Sequence, residues 1–167
     1  MKKAKKEFSK IYDQYIEKIY RFIFLKVSSE EIAQDLCSET FLKGWEAFKN
    51  NKEIENIQAF LYQIARNLVI DHYREKGRTK IVSAEYIPII DPRPGLEEKI
   101  FLNSELNQVK TALFNLKEDY QNVIIWYYLD DLPLPEIAKI LDKSEATTRV
   151  MLHRALKSLK NELNQVS

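Results

Sequence analysis

The sequence predicts an all-α protein of two small helical domains joined by a flexible linker. Three observations carry that prediction. Apolar residues recur at helical rather than alternating spacing along most of the chain. Its 167 residues include only three glycines and five prolines, with 31% charged and 45% hydrophobic residues, which suits a mostly helical soluble protein. The longest break in the periodicity is the stretch where Pro88, Pro92, Pro94 and Gly95 cluster. The expected division is therefore 1–78, a linker over 79–103, and 104–167.

In chain order, Phe8, Ile11, Tyr12, Tyr15, Ile19, Phe22 and Ile23 stand at helical spacing and predict an amphipathic helix to about Lys26. Ser28 or Ser29 then caps a second helix, whose first turn holds Glu30 and Glu31. On it, Ile32, Ala33, Leu36, Cys37, Thr40, Phe41, Gly44 and Phe48 turn to one side, and Glu31, Asp35, Ser38, Glu39, Leu42 and Glu46 to the other. Between Glu30 and Glu46 five acids face the single base Lys43. An acidic face is most often merely solvated, but a leucine in its middle marks a docking surface for a basic partner.

The polar run Asn50 to Asn56 interrupts the pattern before a third helix. Ile57, Phe60, Leu61, Ile64 and Leu68 form one apolar side of it, and Tyr62, Val69 and Tyr73 another. A polar stripe of Gln63, Asn67, Asp71 and Arg74 runs between them. Such a helix is expected to be sandwiched, its stripe either satisfied internally or lining a binding site. A basic run, Arg74, Lys76, Arg78 and Lys80, follows, with Gly77 as the expected stop. After the linker, one helix resumes near Ser104 and another near Glu118, the latter carrying Val123, Ile124, Trp126, Tyr127 and Leu129.

The C-terminal stretch reads as a helix-turn-helix. A short helix from about Pro135 to Leu141 leads through Asp142, Lys143 and Ser144 to a second helix capped by Ser144. Leu152, Leu156, Leu159 and Leu163 fall on its core stripe. Thr147, Val150, His153, Arg154 and Lys157 point away, flanked by Arg149 and Lys160. Basic residues around small ones are the footprint of a helix that enters a DNA major groove.

Net charge is +1, so attraction to nucleic acid must come from local patches. The lone Cys37 excludes an internal disulfide and suits a reducing cytoplasm; on the inner side of its helix it reads as a small buried residue. The lysine-rich start has no apolar run behind it and no window is long enough to span a membrane, so no membrane insertion is expected. No metal site is expected, since His153 has no second ligand nearby, and nothing asks for a cofactor.

With those residues in view, the chain resembles an RNA polymerase sigma factor of the extracytoplasmic-function kind, with regions two and four only. AQDLCSETFLKGW (33–45) resembles the family's A-x-D-L-x-Q-E-x-F-L-x-x-W run, and AFLYQIARNLVIDHYR (59–74) its W-L-x-x-I-A-R-N-x-x-x-D-x-x-R run. The helix-turn-helix is similar to that of region four. The resemblance implies a non-catalytic subunit that binds core RNA polymerase through the β′ clamp helices and β flap, recognises promoter DNA and promotes strand opening. An anti-sigma factor is a possible further partner.

By that resemblance, Asp35, Ser38, Glu39 and Leu42 would hold the clamp helices. Asn67 and Asp71 would lie beside a pocket for a flipped base of the minus-ten element, closed by the loop around Asn50 to Gln58. Arg66, Arg74, Lys76 and Arg78 would hold phosphates of the opened strand. Thr147, Arg149, Val150, His153, Arg154 and Lys157 would meet the minus-thirty-five duplex. Drawing a base from the stack costs a few kcal/mol, which a shaped, partly polar slot returns only for the right base. The roughly 25 linker residues reach at most ~85 Å extended and ~28 Å as a coil, against about 70 Å for two turns of duplex. Both domains therefore reach DNA together only on a drawn-out linker.

The sequence departs from the family pattern at Ser38, where glutamine is common, at Phe60 for tryptophan and at Ala146 for glycine. Val150 and Met151 stand where serine and arginine are common, and Val150 suits a thymine methyl instead. Two other readings compete. A helix-turn-helix regulator with a helical dimerisation or sensing domain explains the C-terminal half but leaves the acidic face and the Asn67 stripe unused. A hydrolase built on Asp35, Glu39, Asp71 and His72 is disfavoured, because those carboxylates do not face His72 at helical spacing.

Overall fold

A helix of ten or twenty residues holds little stability of its own in water, so each must bury its apolar stripe against a neighbour. The computed structural model describes residues 2–50, 53–79 and 104–166; at 78, 79, 104–107 and 166 only the backbone is described. The chain divides into two compact units, Met1–Asp91 and Pro92–Ser167. Helices α1 (Lys2–Val27), α2 (Glu30–Lys49) and α3 (Ile57–Thr79) build the first. Helices α4 (Ser104–Phe114), α5 (Glu118–Ile124), α6 (Leu134–Leu141) and α7 (Glu145–Val166) build the second. No strand occurs among the described residues, as the composition predicts. The expected linker lies outside the described residues except for Thr79, which closes α3.

In the first unit Ser28 turns the chain by adopting a left-handed φ of 54°, and its N–H donates to the Phe24 carbonyl. Ser29, extended, then caps α2 by accepting from the Ile32 N–H at 3.3 Å. The sequence left Ser28 and Ser29 as alternatives; they do different jobs. Phe22, Ile19, Ile23, Leu61, Tyr62, Ala65 and Val69 are wholly buried, each large side chain contributing roughly 1.5–3 kcal/mol. Phe22 meets Tyr62 edge-on at 5.7 Å, joining α1 to α3. The Tyr73 hydroxyl donates to the Lys26 carbonyl and ties the end of α3 to the end of α1. Thr40 is buried on α2 because its hydroxyl donates to the Leu36 carbonyl at 2.7 Å.

One sequence expectation for α3 is corrected and another is refined. The helix does not stop at Gly77 but continues to Thr79, so Gly77 is an interior helical residue with no special φ. The helix does pack on both α1 and α2, as its two apolar sides predict, but through adjoining faces. Its buried residues, Leu61, Tyr62, Ala65, Leu68 and Val69, form one wide arc, while Phe60 and Ile64 stay half-buried beside the polar stripe. The stripe is the open side of the helix.

In the second unit Gln121 is buried and donates to the Phe114 and Leu116 carbonyls at 3.1 and 2.7 Å, satisfying the free end of α4. The helix expected from Glu118 through Leu129 changes character halfway. Residues Ile125–Leu129 form a π turn, closed by the Asp130 N–H on the Ile125 carbonyl at 3.0 Å. Trp126 is wholly buried there while Tyr128 and Leu129 are exposed, so Leu129 is not a core residue.

Gly44 faces α3 so closely that an added Cβ would lie 2.8 Å from Leu61 Cδ2 and 3.5 Å from Phe8 Cζ. Gly44→Leu is expected to lower stability by about 1–3 kcal/mol through overpacking, despite leucine's better helix propensity. A fall in the urea midpoint measures it.

Candidate functional site

Three surfaces carry the residues that the sequence singled out. The first is the outer face of α2. Ala33, Cys37, Thr40, Phe41, Gly44 and Ala47 are buried against α1 and α3, which turns the opposite side outward. Glu31, Asp35, Ser38, Glu39, Leu42 and Glu46 are all exposed, Leu42 at 57%. Lys43 pairs with Glu39 at 3.8 Å across one helical turn, an exposed contact worth about 0.3–0.5 kcal/mol. The face is an apolar residue ringed by carboxylates and open to a partner. Behind it, burial pushes the Cys37 thiol up to about 11, so the protonated, unreactive form prevails at neutral pH.

The second surface is the open side of α3. The helix begins under a cap that the sequence reading missed: the Asn56 side-chain oxygen accepts from the Ala59 N–H at 2.9 Å. An asparagine just before an apolar helical run was the available signal. Asn67, Asp71 and Arg74 are exposed and share one face with half-buried Gln63, Phe60 and Ile64. Arg66 and Lys76 do not join them. At about 100° per residue, Arg66 points well round the helix from Asn67 and Asp71. It is half-buried, and its Nε has no hydrogen-bond partner among the described residues. Lys76 is half-buried on the core side. The Arg78 side chain, and Asn51 and Lys52 of the preceding loop, lie outside the described residues.

His72 sits half-buried on the core side of α3, away from this face, its ring 5.3 Å from that of Tyr73. Burial, reinforced by the Lys76 ammonium and opposed by Glu75, lowers its pKa below the ordinary 6.5.

The third surface is on α7. Pro133 leads into α6, and Pro135 sits in the first turn, where a missing N–H costs nothing. Asp142 ends α6 in the left-handed conformation at φ 55°, and the Lys143 N–H returns to the Ala138 carbonyl at 3.0 Å. The Ser144 hydroxyl oxygen accepts from the Thr147 N–H at 3.1 Å and caps α7 as the sequence predicts. Thr148, which the sequence reading passed over, is wholly buried and donates to the Ser144 carbonyl at 2.8 Å. With Leu152 and Ala155 it fixes the rotation of α7, while Leu156, Leu159 and Leu163 are only half-buried. Thr147, Arg149, Val150, His153, Arg154 and Lys157 are consequently all exposed. Arg149 reaches back to Glu145 at 3.9 Å. The arrangement offers a convex helix with cations and one exposed valine, preceded by a rigid turn.

None of the three surfaces assembles a nucleophile with a base. Among the described residues no cluster of histidine, cysteine and carboxylates could hold a metal ion. No described helix is long and apolar enough to cross a membrane.

Both units have counterparts among known proteins. Residues 11–79 match the family model for sigma-70 region 2, and residues 106–159 that for sigma-70 region 4. The chain is 27% identical over 154 residues to the ECF RNA polymerase sigma factor BldN of Streptomyces coelicolor, covering 91% of this chain but only 58% of that protein. It is also 27% identical over 171 residues to the ECF sigma factor SigW of Bacillus subtilis, covering 95% and 90% of the two chains. The fold is that of RpoE from Bartonella quintana, solved with the anti-sigma factor NepR, at a TM-score of 0.69 and 22% identity over 95% of this chain and 98% of that one. It is likewise that of CnrH, solved with the cytosolic domain of CnrY, at a TM-score of 0.71 and 20% identity over 98% and 91%.

The lowered His72 pKa has a sign. Below 6.5 the unfolded chain takes up a proton that the native site resists, so stability present above 6.5 is lost as pH falls from 6.5 toward the native value. His72→Asn is expected to flatten that part of the slope, measured as urea midpoints between pH 8 and pH 5.

Proposed function

This chain belongs to the sigma-70 family, in the extracytoplasmic-function form with regions 2 and 4, and from that premise we propose how its three surfaces divide the work of starting transcription. The α2 face docks on the β′ clamp helices of core RNA polymerase through Asp35, Ser38, Glu39 and Leu42. The open side of α3 receives the minus-ten element, with Asn67 and Asp71 beside an extruded base and Arg74 at the strand's phosphates. Arg66 and Lys76 complete the phosphate contacts once their long side chains swing toward the strand, and Arg78 is assigned to the same contacts. The α7 face meets the minus-thirty-five duplex, where Arg149, Arg154 and Lys157 neutralise phosphates and Thr147, Val150 and His153 lie nearest the base edges. The second unit also meets the β flap.

One observation carries the proposal. Leu42 is more than half exposed at the centre of a carboxylate face, on a helix whose other side is wholly committed to its own core. A leucine in that setting gains by burial against a partner, and the acids around it select a basic one. A self-contained regulator has no use for such a face.

On this reading the protein contributes no catalytic group. Strand opening is driven by binding energy, the base slot compensating the lost stacking. The working place is the cytoplasm, where polymerase and chromosome are. An anti-sigma factor is a natural further partner, since RpoE and CnrH were each solved with a bound protein.

Purified chain is expected to co-elute with core polymerase, and Leu42→Asp or Asp35→Arg to abolish that without changing the thermal melt. Retained co-elution in both variants would sink the docking assignment. Asn67→Ala should weaken promoter opening, read by permanganate reactivity of unpaired thymines, more than it weakens duplex binding. Equal losses would contradict the base slot.

A further inference from the structure

Five lysines near the start of α1, Lys2, Lys3, Lys5, Lys6 and Lys10, are exposed and have no task in the function proposed above. Against them the stretch from residue 2 to residue 10 holds one acid, Glu7. Beside these lysines α1 and α2 leave a concavity of about 280 Å³, lined by Lys5, Phe8, Ser9, Tyr12 and Trp45. Its walls are aromatic. Phe8 and Trp45 lie 5.5 Å apart, tilted by 52°, and Tyr12 stands edge-on to Phe41 at 4.9 Å. Tyr12 is nevertheless 43% exposed, a ring held in place from behind and open in front.

The location narrows the occupant. Phe8 packs on Phe48, at the end of α2 that leads into the α2–α3 connection. The concavity therefore lies at the same end of the first unit as the loop assigned to the minus-ten element. Around α1, at about 100° per residue, Lys2, Lys5 and Ser9 share the side of the concavity, while Lys3, Lys6 and Lys10 turn away. A lysine rim repels the basic partner that suits the neighbouring acidic face of α2. A strand that carries both flat rings and negative charge fits rim and walls together, because bases stack on aromatic side chains whatever their identity and ammonium groups hold the phosphates between them.

We propose that this concavity takes an unstacked base of the single-stranded DNA released when the promoter opens. Tyr12 and Trp45 provide the stacking surfaces, and Lys2 and Lys5 hold the flanking phosphates. The inference rests on the strand-opening reading above and adds a second place where the displaced strand is held.

The test uses open complexes of core polymerase with the full chain, on a promoter it serves, with 2-aminopurine placed at successive positions of the displaced strand. Tyr12→Ala and Lys5→Glu should each shorten the open-complex lifetime on the order of fivefold or more and change the fluorescence at one and the same position. Tyr12→Phe keeps the ring and should behave as the unaltered chain, as should Lys3→Glu on the opposite side. All four variants should bind core polymerase normally. If Tyr12→Ala weakens that binding as Leu42→Asp does, the concavity belongs to the polymerase interface and the inference is wrong. Equal damage from Lys3→Glu and Lys5→Glu would reduce it to diffuse charge and also overturn it. Opening that depends on Asn67 but not on Tyr12 would defeat this inference alone. Opening indifferent to both would defeat the strand-opening reading and this inference with it.

Discussion

The rotational setting of α2 about its own axis governs what the first unit can offer. It is fixed by a close approach: Gly44 has no room for a side chain against Leu61 and Phe8, and Phe41, Cys37 and Ala33 press inward along the same line. With that side committed, Asp35, Glu39 and Leu42 have only one direction left. Aromatic packing backs the arrangement, since Phe8 touches the rings of Phe41, Trp45 and Phe48 at 5.5 to 6.5 Å. The functional face of α2 is thus the complement of a packing face and needs little designed structure of its own.

The second unit reaches a comparable result by turn chemistry. Asp142 accepts a left-handed φ that most residues avoid, and Ser144 stops the new helix from fraying. Thr148 then locks the first turn of α7 onto the Ser144 carbonyl. The outward side chains of α7 inherit their direction from these three residues, none of which needs to touch DNA.

Periodicity made much of this legible in advance. The two sides of α2 separated correctly because core positions recur every three to four residues without interruption. The exposed set on α7 followed from the same rule, and Ser144 from the preference of hydroxyls for helix starts. Where the sequence misled, a specific competing effect is at work. Gly77 costs a helix interior only about 1 kcal/mol relative to alanine, too little to end a helix by itself, so composition alone could not place the stop. Two apolar flanks on α3 suggested two neighbours and it has them, Gly44 of α2 against Leu61 and Phe22 of α1 against Tyr62, but both flanks belong to one broad buried arc, with the polar stripe outside it and not between the neighbours. The unequal placing of Arg66 and Asn67 reflects one step around a helix, which a motif read as a string conceals. The concavity at Tyr12 had no sequence signal, because it arises from the splay of two helices.

The π turn at Ile125–Leu129 is the last turn of its helix and sets which side chains that end presents. A π turn accommodates one residue more than the α-helical turn it replaces, so the side chains at its end stand about 100° from where an unbroken helix would put them. A relative whose helix runs straight through this point would present different side chains at the positions of Tyr128 and Leu129, even with the same letters there. Equivalence between such chains has to be judged by phase, with a one-residue gap admitted inside the helix; counting positions across it transfers surface roles to the wrong residues.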